Sequence, residues 1–109
     1  MRVGRSPTQS DVKGLERLDA LLQHRSRLGA AVLLSGAELS FSRLKTLLGE
    51  TDGNLGAQLR NLEEAGYVSV RKEFVDRKPV SWYAFTPGGR RALKGHLAAM
   101  EELIKAAKV

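Results

Sequence analysis

The stretch "LLGETDGNLGAQLRNLEEAGYV", Leu47 to Val68, decides how the rest of the chain is read. It has the form of a helix end, a turn, and a second helix with an unusual beginning. Taken at about 100° per residue, Leu55, Leu59 and Leu62 fall in one narrow sector and define a buried face. The first turn, however, holds Gly53, Asn54 and Gly56. An interior glycine destabilises a helix by roughly 0.5–1 kcal/mol relative to alanine. Gly53, Ala57, Arg60 and Glu64 point away from the leucines, and Asn54, Gln58 and Asn61 run along one shoulder. A helix that only has to be stable does not need this composition. One that must bring its backbone close to a ligand does.

Working outward, Thr51 caps this helix, and Gly66 after "EEA" ends it. Upstream, Ser40 caps a helix with Phe41, Leu44, Leu47 and Leu48 inside, closed by Gly49. A further helix is expected over Arg25–Leu34, ending at Gly36, with Leu28, Val32 and the neighbouring alanines buried. Ser10 is read as the cap of a first helix with Val12, Leu15, Leu18 and Leu22 on one stripe. "AELSF" is too short to be more than a strand fragment. Residues 1–9 carry no periodicity and are read as a mobile arm.

Downstream the period changes to two. "YVSVRKEF" places Val68, Val70 and Phe74 on one face and Ser69, Arg71 and Glu73 on the other. "VDRKP" is a turn and "VSWYAF" a second strand, in which Trp82 is expected in the hairpin core rather than lining a ligand cavity with Tyr83. Thr86-Pro87 then starts a last helix, running to about Lys108.

The chain of 109 residues is long enough for one core and too short for two. The expected organisation is an arm over 1–9 and one domain over 10–109. Within the domain, 10–23 and 87–108 are dimerisation helices, 40–66 a helix–turn–helix and 67–86 a hairpin. The fold class is mainly α (α+β). A helix–turn–helix followed directly by a basic-tipped, two-stranded hairpin is the winged-helix arrangement.

Composition narrows the chemistry. There is no cysteine, which removes disulfides and thiolate metal sites and fits a reducing cytoplasm. No apolar run approaches the roughly 18–20 residues of a membrane span. A soluble, cytoplasmic protein without a membrane partner is expected. The net charge of +6 is unevenly placed: residues 67–96 hold seven Lys/Arg against two acids, whereas 51–66 hold one against three. A basic flank can hold a polyanion through its phosphates while a less charged helix reads something else.

A DNA major groove accounts for the odd helix. Small residues at 53, 56 and 57 permit close approach, and Asn54 and Gln58 offer the donor and acceptor that suit an adenine edge. Thr51 and the free N–H groups of the first turn can take a phosphate. Arg71, Lys72, Arg77 and Lys78 supply the wing with cations, and Arg43 and Lys45 can add phosphate contacts from the preceding helix. The candidate DNA-binding set is therefore Arg43, Lys45, Thr51, Gly53, Asn54, Ala57, Gln58, Arg60, Arg71, Lys72, Arg77 and Lys78. The apolar stripe Leu93, Leu97, Met100 and Ile104, with Leu15, Leu18 and Leu22 from the first helix, is the candidate dimer interface.

From Phe41 to Leu93 the chain resembles the small winged-helix transcriptional regulators of the MarR/ArsR-like superfamily. It is similar in particular to minimal single-domain members with the pattern L-T-D-G-N-L-x-x-H-L-x-x-L-E-x-x-G-Y-V, a basic strand, and L-T-x-x-G-R. Here these read "ETDGNLGAQLRNLEEAGYV" and "FTPGGR". With the upstream "RSRLGAAVLL", the resemblance covers about three quarters of the chain. It implies a double-stranded-DNA-binding homodimer with 51–62 as recognition helix and 71–80 as wing. Gly56 and Gln58 replace a hydroxyl residue and a His of the pattern, so the contacts expected there do not carry over.

No enzyme is expected. There is no HExxH, GxSxG or P-loop, and His24 and His96 are two lone histidines. No cofactor, metal or effector ligand is assigned. The expected function is a sequence-specific regulator, a repressor because the 109 residues leave no spare domain for recruiting polymerase. A winged helix used for protein interaction and a non-specific architectural DNA binder remain as alternatives.

Overall fold

The computed structural model describes residues 6–109; the part of the arm formed by residues 1–5 lies outside the described residues. Helix α1 spans Arg25–Leu34, α2 Phe41–Leu48, α3 Asp52–Glu64 and α4 Pro87–Ala106. Strands β1 (Leu39–Ser40), β2 (Val68–Val75) and β3 (Lys78–Phe85) form one antiparallel sheet in the order β1-β3-β2. The hairpin thus gains a third, two-residue strand from the "AELSF" fragment, with Leu39 opposite Tyr83 and Ser40 opposite Trp82.

Local chemistry sets the helix ends. The Ser40, Thr51 and Thr86 side chains accept the N–H groups of Arg43, Asn54 and Gly89, at 3.1, 3.2 and 2.9 Å. These satisfy first-turn donors that the helices themselves cannot. Gly49 and Gly66, at φ +64° and +78°, take the left-handed conformation that stops α2 and turns the chain out of α3. Leu22, Ala30, Ala31, Leu34, Leu44, Leu55, Leu59, Leu62, Val68 and Leu93 form the core. The α3 leucines meet α1 there, so the opposite face of α3 is left to solvent.

The single helix expected over 10–23 is two 3-10 segments, Gln9–Arg17 and Ala20–Gln23. The cap is Thr8, whose N–H donates to the Asp11 carboxylate at 2.9 Å, rather than Ser10. The break has a cause at Asp19, whose side chain accepts the Leu21 N–H at 2.9 Å and so starts a new turn. Gly14 lies against α4, where an added Cβ would stand 2.8 Å from the Ala99 carbonyl oxygen.

Several expected core positions are not in it. Val32 and Leu47 are exposed, because α1 buries Ala30, Ala31 and Leu34 and α2 buries Leu44. Phe74 is 78% exposed, since the hairpin has by then run past the end of the helical layer. Trp82 is only partly buried. It lies on the outer face of the hairpin, donates from Nε1 to Glu73 at 2.7 Å, and has the Arg71 guanidinium 5.7 Å from its ring centre. The core aromatic of the hairpin is instead Tyr83, packed near Phe41.

Candidate nucleic-acid interface

The exposed side of α3 is built as its sequence suggests. Gly53 and Gly56 both have helical backbone, and an added Cβ at either meets nothing within 4 Å. The fold therefore gives no reason for glycine at either position. Ala57 and Arg60 are exposed beside them. The first turn also holds Asp52, which takes the Lys45 ammonium at 2.9 Å and ties α2 to α3 across the turn. Arg43 is exposed and forms no ion pair among the described residues. Glu50, between the two helices, accepts a hydrogen bond from the buried Ser26 hydroxyl of α1.

Directly opposite residues of an antiparallel pair share a face of the sheet. Val68, Val70, Lys72 and Phe74 of β2 pair with Phe85, Tyr83, Ser81 and Pro79 of β3. This face looks toward α3. Gly56, Arg60 and Glu63 of α3, with Val70, Lys72, Ser81 and Tyr83 of the sheet, line an open cleft of about 360 Å³. Burial, and then the charge of Glu63, push the Tyr83 hydroxyl above its usual range. The other face carries Arg71, which donates to Glu38 at 2.8 Å and to Glu73 at 2.9 Å. Its hydrogen bond to Glu38, above all, holds it still more firmly charged. Arg71 is thus already engaged, unlike Lys72, Arg77 and Lys78, which form no ion pair among the described residues.

The turn is two residues, Asp76 and Arg77, and not the longer "VDRKP". Both are left-handed, at φ +52° and +66°, the geometry of a type I′ hairpin turn. Lys78 and Pro79 belong to β3. The tip cation Arg77 therefore sits on a position where glycine is the ordinary choice.

The shoulder amides are not free. Arg27 of α1 donates from Nη1 to Gln58 Oε1 at 2.5 Å and from Nε to the Leu21 carbonyl at 2.6 Å. Gln58 Nε2 in turn donates to Asn54 Oδ1 at 3.3 Å. Arg27 escaped the sequence reading because one arginine among the charges of "HRSRL" looks like a solvated surface residue. The only local hint is that it follows Leu21 by six and precedes the small-residue face of α1.

The terminal helices divide the proposed interface residues. Leu22 (0% exposed) and Leu93 (6%) belong to the core of the chain and are not available to a partner. Leu15, Leu97 and Ile104 are exposed, with Leu18 and Met100 half-buried. The buried face of α4 runs through Gly89, Leu93, His96 and Ala99, rotated from the expected stripe because the first 3-10 segment covers that side. His96 Nδ1 accepts the Asp19 N–H at 2.9 Å. Asp19 Oδ2 also takes the Tyr67 hydroxyl at 2.5 Å. His24 caps α1 through Nδ1, taking the Ser26 N–H at 3.1 Å. Among the described residues no group of His, Cys, Asp or Glu is arranged to hold a metal, and no helix is long and apolar enough to cross a membrane.

A helix–turn–helix backed by a three-stranded sheet with a projecting basic hairpin defines a winged-helix transcriptional regulator. The chain belongs to the winged helix DNA-binding domain family, whose profile matches residues 27–104. It is 35% identical over 80 residues to an uncharacterized protein of Methanocaldococcus jannaschii, covering 72% of this chain and 87% of that one. The structure of a transcriptional regulator homologue from Pyrococcus horikoshii superposes with a TM-score of 0.80 at 27% identity, over 93% of this chain and all of that one. The fold also matches a MarR family regulator of Streptomyces coelicolor, solved in complex with DNA. There the TM-score is 0.59 at 21% identity, over 97% of this chain and 80% of that one. Family and fold are those of DNA-binding regulators, not of enzymes.

Proposed function

We propose that the protein is a homodimeric, sequence-specific repressor that lays α3 in the major groove of double-stranded DNA and its wing along the backbone or minor groove. One observation carries this reading. Gly56, one of two α3 glycines that the fold does not require, lines the same cleft as Arg60 and the wing cation Lys72. Gly53, Gly56 and Ala57 allow the helix backbone to approach. Thr51 and the first-turn N–H groups meet a phosphate, and Lys72, Arg77, Lys78, Arg43 and Arg60 supply charge. Arg71 acts chiefly by bracing the wing through Glu38 and Glu73.

Dimerisation is supported by shape and surface. The radius of gyration is 17.6 Å, against about 13 Å for a compact domain of this length. Leu15, Leu97 and Ile104 stand exposed on the terminal segments, and Leu18, Met100 and Leu103 line an apolar cleft beside them. A two-fold pair joined there presents two recognition helices to half-sites about 10 bp apart, or a multiple of that. Such a dimer represses by occupying DNA that other proteins need.

Binding to a pool of random duplexes, selected over several rounds at two salt concentrations, tests all of this. An enriched inverted repeat is the expected result. Salt-sensitive binding that enriches no sequence reduces the protein to an architectural binder. No binding at low salt removes the DNA role and leaves a protein-interaction module.

A further inference from the structure

Side-chain amides are ambiguous readers, because either end can face the ligand. In this chain the ambiguity is resolved by Arg27. A guanidinium only donates, so the end of Gln58 that faces it has to be the carbonyl oxygen. The amide nitrogen of Gln58 is then the end that meets Asn54, and what it meets has to be an acceptor, Asn54 Oδ1. Arg27 is itself held in place by the Leu21 carbonyl. The sequence of donors and acceptors runs in one direction only, from α1 to the first turn of α3. At its end, Asn54 Nδ2 is left with both N–H groups and no partner among the described residues. Asn54 is exposed, next to Gly53.

We infer that Arg27 is a positioning residue that, through Gln58, turns the donor end of Asn54 outward, so that Asn54 selects guanine rather than adenine. This rests on the DNA-reading role proposed for α3. Guanine shows two acceptors, N7 and O6, in the major groove, whereas adenine shows one acceptor and one donor. An asparagine free to turn satisfies adenine with its oxygen and one N–H. Here the hydrogen bond from Gln58 holds the oxygen turned along the helix toward residue 58, and two outward N–H groups face two acceptors. The adenine preference expected from the residue types alone is thereby reversed.

Gln58→Glu provides the sharpest test, since it keeps an acceptor for Arg27 but removes the donor that Asn54 Oδ1 uses. Asn54 then turns its nitrogen toward the new carboxylate, and its oxygen, with one N–H, faces outward. Selection from random duplexes is carried out with the parent, Asn54→Ala and Gln58→Glu, and the base ratio rather than the affinity is read. The parent is expected to favour guanine over adenine on the order of tenfold at one position of each half-site. Asn54→Ala loses that preference, and Gln58→Glu moves it to adenine. Arg27→Met, checked for folding by circular dichroism, relaxes it to either purine.

Adenine selected by the parent, or the same base selected by the parent and Gln58→Glu, overturns the inference. So does an Asn54→Ala protein that loses affinity equally for every duplex, which places the amide on a phosphate. A parent that binds no duplex defeats the DNA reading itself, and this inference with it.

Discussion

Gly53 and Gly56 illustrate how one residue separates folding from function. With helical backbone and open space at each Cβ, alanine fits both positions without strain. Gly53→Ala and Gly56→Ala should each raise unfolding stability by about 0.5–1 kcal/mol in urea titrations. The same variants should bind duplex DNA more weakly by fluorescence anisotropy, because the added methyl keeps the helix from the groove. A stabilised variant with unchanged binding would show that the face is not the contact surface. At Tyr67 the relevant variable is pH. Its hydroxyl is pushed up to about 12, first by its hydrogen bond to Asp19, then by burial and by the charge of that carboxylate. The unfolded phenol titrates near 10. A raised folded value means stability that is complete below pH 10 and lost as pH rises toward 12. Parent and Tyr67→Phe should therefore differ in denaturant midpoint at pH 8, and the difference should shrink through that window.

Among the elements, the wing holds a conflict between stability and charge. Arg77 occupies a left-handed turn position at φ +66°, where a side chain costs roughly 1–2 kcal/mol relative to glycine. Arg77→Gly is expected to stabilise the hairpin by about 1 kcal/mol while weakening all duplexes alike and flattening the salt dependence by roughly one phosphate contact. Thermal melts and salt titrations of the same preparation check both halves. The helices were legible in the sequence because their signals are local: Ser40, Thr51 and Thr86 cap within three residues, and Gly49 and Gly66 supply the stops. The first 3-10 segments were not, because their form depends on Asp19 being held by His96 and Tyr67 and on Gly14 lying against the Ala99 carbonyl, contacts from distant elements. For the same reason the buried face of α4 is rotated from the apolar stripe that periodicity alone marks. Periodicity gives a face but not which neighbour arrives to cover it. Of the candidate site, the small-residue face and the free tip cations were readable from residue type. The engagement of Arg71 with Glu38, and of Arg27 with Gln58, depends on contacts across 33 and 31 residues and left no local mark.

For the whole molecule, the proposed dimer makes stability a matter of concentration. Association that favours the folded chain raises its melting temperature as protein is added. The parent should show that dependence, and sedimentation should give twice the chain mass. Leu97→Glu with Ile104→Glu should sediment as a monomer with a concentration-independent melt. A monomeric parent would remove the two-fold reading while leaving α3 and the wing intact. The sheet order adds a further consequence, of a colloidal kind. β2 is an outer strand, and its far end carries exposed Phe74 and Val75 near Lys72 and the tip cations Arg77 and Lys78. An outer strand offers unpaired backbone groups to any neighbour of the same kind, and like charges keep such neighbours apart. That repulsion extends only about 8–10 Å at physiological salt and contracts as salt is added. A concentrated stock kept free of nucleic acid should thus turn cloudy in strong brine and stay clear in dilute buffer.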